Sequence, residues 1–226
     1  MDVPSITVDQ MREVDRLMVE EFGIALPQMM ENAGRILAEL TIELFAPNRA
    51  TVLVGKGYNG GGGLVAARYL HNKGVDIEVV LSTPDLQEVP MRRLSTLRAL
   101  DLPISNSMQH DDGIIVDALL GYNQLGVPTG RIGNLVEAGE ESRLPVISLD
   151  VPTGFDMETG NYHDISFNDP PTLTLGLPKA NMNGNIKDLW LADIGIPKEV
   201  YKMVGLDLPV MFRESDHFKL ERVTLW

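Results

Sequence analysis

"VGKGYNGGGGLVAARYL", residues 54–70, sets six glycines among the nine positions from Gly55 to Gly63 and then changes to an apolar, helix-forming run. Just before it, "ATVLVG" reads as a short β-rich strand, so the glycines fall at a strand-to-helix junction. Bare backbone at such a junction can take positive φ and turn several N–H groups toward one point, at the positive end of the helix dipole. That is the make-up of an anion cradle.

The same alternation continues outward from this stretch. Downstream come "GLVAARYLHNKG" (helix), "VDIEVVLS" (strand), "VPMRRLSTLRALD" (helix), "DGIIVDALLG" (strand), "IGNLVEAGEES" (helix) and "LPVISLDVPTG" (strand, then a Pro/Gly turn). Short strands separated by such helices predict βαβ units and a three-layer α/β/α, Rossmann-like domain with a mostly parallel central sheet. Upstream, Thr7 and Gln10 have capping-box spacing before Met11, Val14, Leu17 and Met18, and Pro27 opens a second apolar-faced helix that ends before Pro47. After Gly160 the alternation weakens: "PTLTLGLP" and "LWLADIGIP" read as late strands, "KEVYKMVG" as a short helix, and "RESDHFKLERVTLW" as a docked tail. The expected organisation is one domain over 1–226, with N-terminal helices at 7–46, a core at 50–204 and a tail at 205–226.

Composition narrows the function classes. The chain has 226 residues, 44% hydrophobic and 23% charged, and no apolar run near the roughly 18 residues of a membrane span. "MDVPSITVDQ" has no basic stretch followed by an apolar core, so no secretory signal is read and a cytoplasmic home is expected. The absence of cysteine excludes disulfides, thiolate metal sites and cysteine nucleophiles. A formal charge of −13 with scattered basic residues argues against a nucleic-acid surface.

Of two familiar glycine loops, one fails and the other fits only in part. A Walker loop ends in Gly-Lys-Ser/Thr, whereas here the helix begins Gly63-Leu64-Val65. The dinucleotide fingerprint is formally met by Gly55, Gly57 and Gly60, but the next strand ends Val80-Leu81-Ser82-Thr83 without the acidic residue that would bind a ribose.

A third version involves distant segments as well. The loop resembles that of the YjeF N-terminal domain family, the NAD(P)HX epimerases, which typically reads G-P-G-N-N-G-G-D-G followed by L-V-A-A-R-x-L. "MMENAGRILAE", "VDALLG", "LDVPTGFDMETG", "TLTLGLPKANM" and "LWLADIGIP" resemble the family's other segments, in the family's order, from Met29 to Pro197. The resemblance implies a usually homodimeric α/β/α enzyme that interconverts the R and S forms of hydrated NADH and NADPH, with a dehydratase acting on the S form as a separate partner. It also implies a potassium ion held by Asn59, Asp117 and Thr153. Phosphate and substrate contacts would come from Tyr58, Asn59, Gly60, Gly61 and Gly62, from the segment Gly121, Tyr122 and Asn123 to Gly130, and from Asp150.

The residues read by themselves agree with that placement, because ligands of open parallel sheets gather at the carboxyl ends of strands. The glycine loop, Asp117 to Gly121 and Asp150 to Thr153 all lie at or after strand ends. A hydroxyl on a carbon beside a ring nitrogen is a hemiaminal, which inverts by losing and regaining water or by ring opening, so a proton-shuttling carboxylate suits it. Asp150 is the first catalytic candidate and Asp117 the second. The chain departs from the family pattern at Tyr58 (usually asparagine), at Gly62 (usually aspartate), and in "GYNQLGVPTG", which lacks two arginines. The alternative is a divergent or inactive member that binds a nucleotide or small metabolite, or serves as a dimeric interaction module.

Other residues carry structural expectations. Glu31 and Asn32 read as capping or interhelix hydrogen-bonders, Lys179 as solvent-facing rather than a phosphate partner, and Met11, Met18, Met29 and Met30 as core or a dimer seam. The four histidines show no metal-ligand spacing.

Overall fold

The computed structural model describes residues 3–220. Thr7 caps α1 (Val8–Glu20) with the full reciprocal capping box, and Pro27 sits in the first turn of α2 (Leu26–Phe45). Then follow β1 (Arg49–Val54), α3 (Tyr58–Asn72), β2 (Asp76–Leu81), α4 (Glu88–Ala99), β3 (Ile104–Ser105), β4 (Ile114–Ala118), α5 (Gly130–Ser142) and β5 (Val146–Leu149). A small hairpin, β6 (Phe155–Asp156) with β7 (Asn161–Tyr162), precedes β8 (Thr172–Leu175), β9 (Leu189–Ala192), α6 (Lys198–Met203) and β10 (His217–Lys219).

Eight strands form one sheet in the order β10-β9-β8-β5-β4-β1-β2-β3, parallel throughout except for β10, which runs antiparallel to β9. This is the expected α/β/α class. Side chains alternate across it as the strand period demands. Val52 and Val54 of β1, with Val79, Val116 and Ile147, pack under α1 to α4 and α6. Leu53, Val80 and Ile115 face the other way, onto Leu135 and Val136 of α5 and onto Phe167. From β1 the chain winds outward to β2 and β3, then returns to β4 on the other side. The strand order therefore reverses between β1 and β4, where such sheets open a ligand crevice at their carboxyl ends.

β3, the β6–β7 hairpin and β10 are too short to leave a periodic signal in the sequence. The tail docks through His217–Lys219 against Trp190–Ala192. The remainder of the expected tail, 221–226, lies outside the described residues.

The glycines correct one expectation. The helix starts at Tyr58 rather than Gly63, and none of the six glycines from Gly55 to Gly63 takes positive φ. Their bareness serves close approach instead. A Cβ on Gly55 would stand 1.8 Å from the Leu119 carbonyl oxygen, and one on Gly60 would stand 2.0 Å from that of Gly55. On the next turn, a Cβ on Gly63 would meet the Ala118 side chain at 2.4 Å, and across α2 a Cβ on Gly34 would meet the Gly62 carbonyl at 2.5 Å. Four small residues thus let the first turns of α3 lie with their backbone against the ends of β1 and β4 and against α2.

No helix among the described residues is long and apolar enough to cross a membrane. The packing yields a test. Gly55→Ala drives its Cβ into a backbone carbonyl and should destabilise the protein by about 3 kcal/mol or more, a fall of roughly 6–12 °C in Tm. Gly57→Ala, whose Cβ would have its nearest neighbour at 3.8 Å, should change stability by less than about 1 kcal/mol in the same thermal melts.

Candidate active site

At the reversal point a cavity of about 400 Å³ opens above the strand ends. Gly57, Tyr58 and Asn59 at the N-terminus of α3 form one wall, Leu119 to Gln124 after β4 a second, and Asp150 after β5 a third with Lys179. Met11, Leu26, Met29 and Met30 of α1 and α2 close the apolar side. These methionines, like Met18, are buried within the single chain, so they do not await a dimer to cover them, and three of the four line the cavity. Flexible thioether side chains make an adaptable apolar wall.

Asp150 takes the left-handed conformation, φ 68°, directly after β5, while its own N–H donates to Leu173 O at 2.7 Å. A non-glycine residue held there is strained, and such strain is kept where the surroundings fix it. Here both carboxylate oxygens are fixed. Oδ1 is ion-paired with Nζ of Lys179, and Oδ2 accepts the Tyr122 N–H at 2.8 Å.

Lys179 does not lie in solvent as its position after Pro178 suggested, nor is it free for a phosphate. Its side chain is fully buried, and Nζ donates also to Leu175 O at 2.8 Å while standing 5.6 Å from the centre of the Tyr122 ring. The cause is a parallel bridge between Ile6 and the 178–180 segment, through Ile6 N–H to Pro178 O and Ala180 N–H to Ile6 O. That clamp turns the lysine inward. A buried ammonium demands a counter-charge, and Asp150 is it.

Asp117 lies elsewhere. Paired in register with Leu53 and Ser148, it is fully buried beneath the cavity floor and does not line it. Oδ1 accepts from Leu119 N–H at 3.2 Å and Thr153 Oγ1 at 2.7 Å, and Oδ2 accepts from Thr153 N–H at 2.9 Å and Ser148 Oγ at 2.8 Å. Burial pushes this carboxyl above its usual range, against four hydrogen bonds that pull it down. With every lone pair engaged, Asp117 ties the turns after β4 and β5 together, which does not fit the proton-shuttling role given it from sequence.

Asn59 bridges the same turns, its Nδ2 donating to Leu120 O at 2.8 Å and Leu149 O at 3.3 Å, and Leu120 N–H reaches Thr153 Oγ1 at 3.3 Å. Asn59, Asp117 and Thr153 are therefore brought together. Gly62, Gly121, Tyr122 and Asn123 line the cavity, whereas Gly60, Gly61 and Gly130 do not: Gly60 and Gly61 are packed inside α3, and Gly130 starts α5 on the surface with φ 57°. Glu31 accepts from Arg68 and from the Tyr69 hydroxyl, and Asn32 donates to Ile194 O at 3.3 Å, both as interhelix or interloop ties.

Asp15 was missed. It lines the cavity from α1, and its Oδ2 accepts the Tyr122 hydroxyl at 2.6 Å. Burial pushes this carboxyl up, while the Tyr122 hydrogen bond and the Lys179 charge pull it down and Asp150 pushes it up. A signal existed, because helical spacing puts Asp15 four residues after Met11 and three before Met18, an acid on the apolar face.

A glycine-packed helix N-terminus, a reversal-point crevice and a buried ion pair on its wall define a Rossmann-like ligand-binding domain. Residues 26–181 match the family described as YjeF-related protein N-terminus, and the chain belongs to that family. It is 44% identical to the NAD(P)H-hydrate epimerase of Dehalogenimonas lykanthroporepellens, over 90% of this chain and 87% of that protein. It is 31% identical to the protein of the same name from Rhodopirellula baltica, over 91% and 90%. The bifunctional NAD(P)H-hydrate repair enzyme Nnr of Archaeoglobus fulgidus is 32% identical, with 82% of this chain matching 40% of that one. The crystal structure of yeast ynu0 has the same fold, at a TM-score of 0.83 and 24% identity over 96% of this chain and all of that one.

The Asp117 geometry carries its own test. Each of its oxygens accepts one backbone N–H and one hydroxyl, so in Asp117→Asn the new NH₂ faces a backbone N–H whichever way the amide turns. About 2–4 kcal/mol should be lost, read as a lower denaturant midpoint with unchanged slope.

Proposed function

We propose that the chain is an NAD(P)H-hydrate epimerase, interconverting the R and S hydrates of NADH and NADPH. The observation that carries this is the Asp150–Lys179 pair on the wall of the cavity at the strand-order reversal. Epimerisation of a hemiaminal needs a site that gives a proton to the hydroxyl oxygen and takes one back, with no oxidation or reduction. A carboxylate and an ammonium in contact, set into a methionine-lined pocket, can do that. The N-terminus of α3 offers the N–H groups of its first turn to the ligand's phosphates, which the loop after β4 cannot serve with arginine. The apolar wall takes the nicotinamide ring, with Asp150 and Lys179 against its hydroxyl.

A bound potassium ion fits the donor chemistry. The Asn59 amide, the Leu120 and Leu149 carbonyls and the Thr153 hydroxyl are all oxygen donors once the amide is turned over, and the Asp117 carboxyl lies beneath them. Neutral carbonyl, amide and hydroxyl oxygens suit a hard monovalent cation better than a transition metal. Bound there, the ion supplies positive charge near the ligand's anionic groups. The bifunctional name of the Archaeoglobus fulgidus relative supports a link to a second repair activity, which would take up the S hydrate. A homodimer, in the cytoplasm, completes this reading, with exposed Val19 of α1 and Phe22 just after it as the seam.

Purified protein added to isolated (R)-NADHX with potassium present should yield the S form, followed by chromatography, faster than the spontaneous rate. Asp150→Asn should lower that rate by about 100-fold or more. A folded protein that leaves the R form unconverted would instead point to the binding-module reading. Potassium in place of lithium should raise the Tm of the wild type and leave that of Asn59→Ala unmoved.

A further inference from the structure

We propose that Asp15 is a second catalytic carboxyl of this cavity, acting on the substrate from the far end of Tyr122 relative to Asp150. The inference rests on the epimerase reading and deepens it.

Tyr122 is held at both ends. Its backbone N–H donates to Asp150 Oδ2 at 2.8 Å, and its hydroxyl donates to Asp15 Oδ2 at 2.6 Å. The two carboxyls are thereby set one tyrosine apart on the wall of a single cavity. They are not equivalent. Asp150 has both oxygens committed, one to Lys179 and one to Tyr122, whereas Asp15 Oδ1 has no hydrogen-bond partner among the described residues. The helix that carries Asp15 is anchored at its start by the Thr7–Gln10 capping box and by Gln10 Nε2 donating to Val204 O at 3.1 Å. Its position is built, and its free oxygen has nothing structural to hold.

Inversion by loss and return of water takes departure from one face and addition at the other, which a single carboxylate pinned on one wall serves poorly. With two, the steps balance. The Asp15 carboxylic acid gives its proton to the departing hydroxyl, the C–O bond breaks with its electron pair going to oxygen, water leaves, and the ring nitrogen's lone pair forms C=N⁺. Water then adds to the opposite face, forming the new C–O bond and returning the pair to nitrogen, and loses its proton to the Asp150–Lys179 pair. Solvent exchange after product release restores the starting protonation. No oxidant, reductant or reactant other than water is used.

The groups facing Asp15 are the Tyr122 hydroxyl, the Lys179 ammonium, Asp150 and, from α6, Tyr201, whose phenol is pushed up by burial and in part by Asp15 itself. Burial outweighs the pull of Tyr122 and Lys179 and favours the proton-bearing form.

The test compares wild type, Asp15→Asn and Tyr122→Phe for conversion of (R)-NADHX between about pH 5 and 9, with kcat and KM resolved separately. Asp15→Asn should lower kcat by about 100-fold or more with KM within about twofold. Wild-type kcat should fall as pH rises through the Asp15 pKa. Tyr122→Phe removes a hydrogen bond that lowers that pKa, so the falling limb should move to higher pH, a change that a merely structural role for Asp15 would not produce. Wild-type kcat in Asp15→Asn, or an unmoved limb in Tyr122→Phe, overturns the proposal while the epimerase reading stands. If wild type itself gives no conversion above the spontaneous rate, both fall together. Should Asp15→Asn fail to fold by circular dichroism, the limb in Tyr122→Phe decides.

Discussion

The close approach of α3 to the sheet is the constraint from which the rest of the site follows. Gly55, Gly60 and Gly63 leave no side chain between the first turns of that helix and the ends of β1 and β4, and Gly34 lets α2 meet the helix from behind. Side chains at these positions would push the helix start outward, and the N–H groups of its first turn would no longer open into the crevice. The glycines are thus a packing solution whose by-product is an exposed helix N-terminus at the point where the strand order reverses. Asn59 is carried on that same turn, which is why it can bridge the carbonyls of Leu120 and Leu149.

A second layer of order comes from two aspartates with opposite habits. Asp117 is spent on structure: four hydrogen bonds from Leu119, Ser148 and Thr153 draw the turns after β4 and β5 together. Asp150, three residues before Thr153, is lifted by a left-handed backbone into the cavity and held by Lys179 and by the Tyr122 N–H. The first makes the floor on which the second stands. The strain at Asp150 is sustained because Leu173, Lys179 and Tyr122 fix it from three separate segments of chain.

The departures from the family pattern take on meaning in this frame. Tyr58 sits half-exposed at the cavity mouth, and Gly62 approaches Leu149 so closely that a Cβ there would stand 2.7 Å from its side chain. An aspartate at 62 would need Leu149 to move, so the glycine is matched to its neighbour. The loop after β4 has no arginine but carries Tyr122, which links the carboxyls of Asp15 and Asp150.

By itself the sequence determined the alternation of strands and helices, the α/β class, the ordered motifs of the family, and the gathering of Gly55–Gly63, Asp117–Gly121 and Asp150–Thr153 at strand ends. All of these rest on local periodicity and turn chemistry, which neighbouring residues write into the chain. Only the tertiary structure decided what the glycines and charges do. Whether Gly60 needs positive φ or a near contact depends on how the chain folds back onto the Gly55 carbonyl after β1, and whether Lys179 meets water or Asp150 depends on Ile6, more than 170 positions earlier. Asp15 and Tyr122 are 107 positions apart, and each reads as an ordinary residue of its own segment. Burial and hydrogen bonding between distant segments assign these roles, and neither leaves a periodic trace in the sequence.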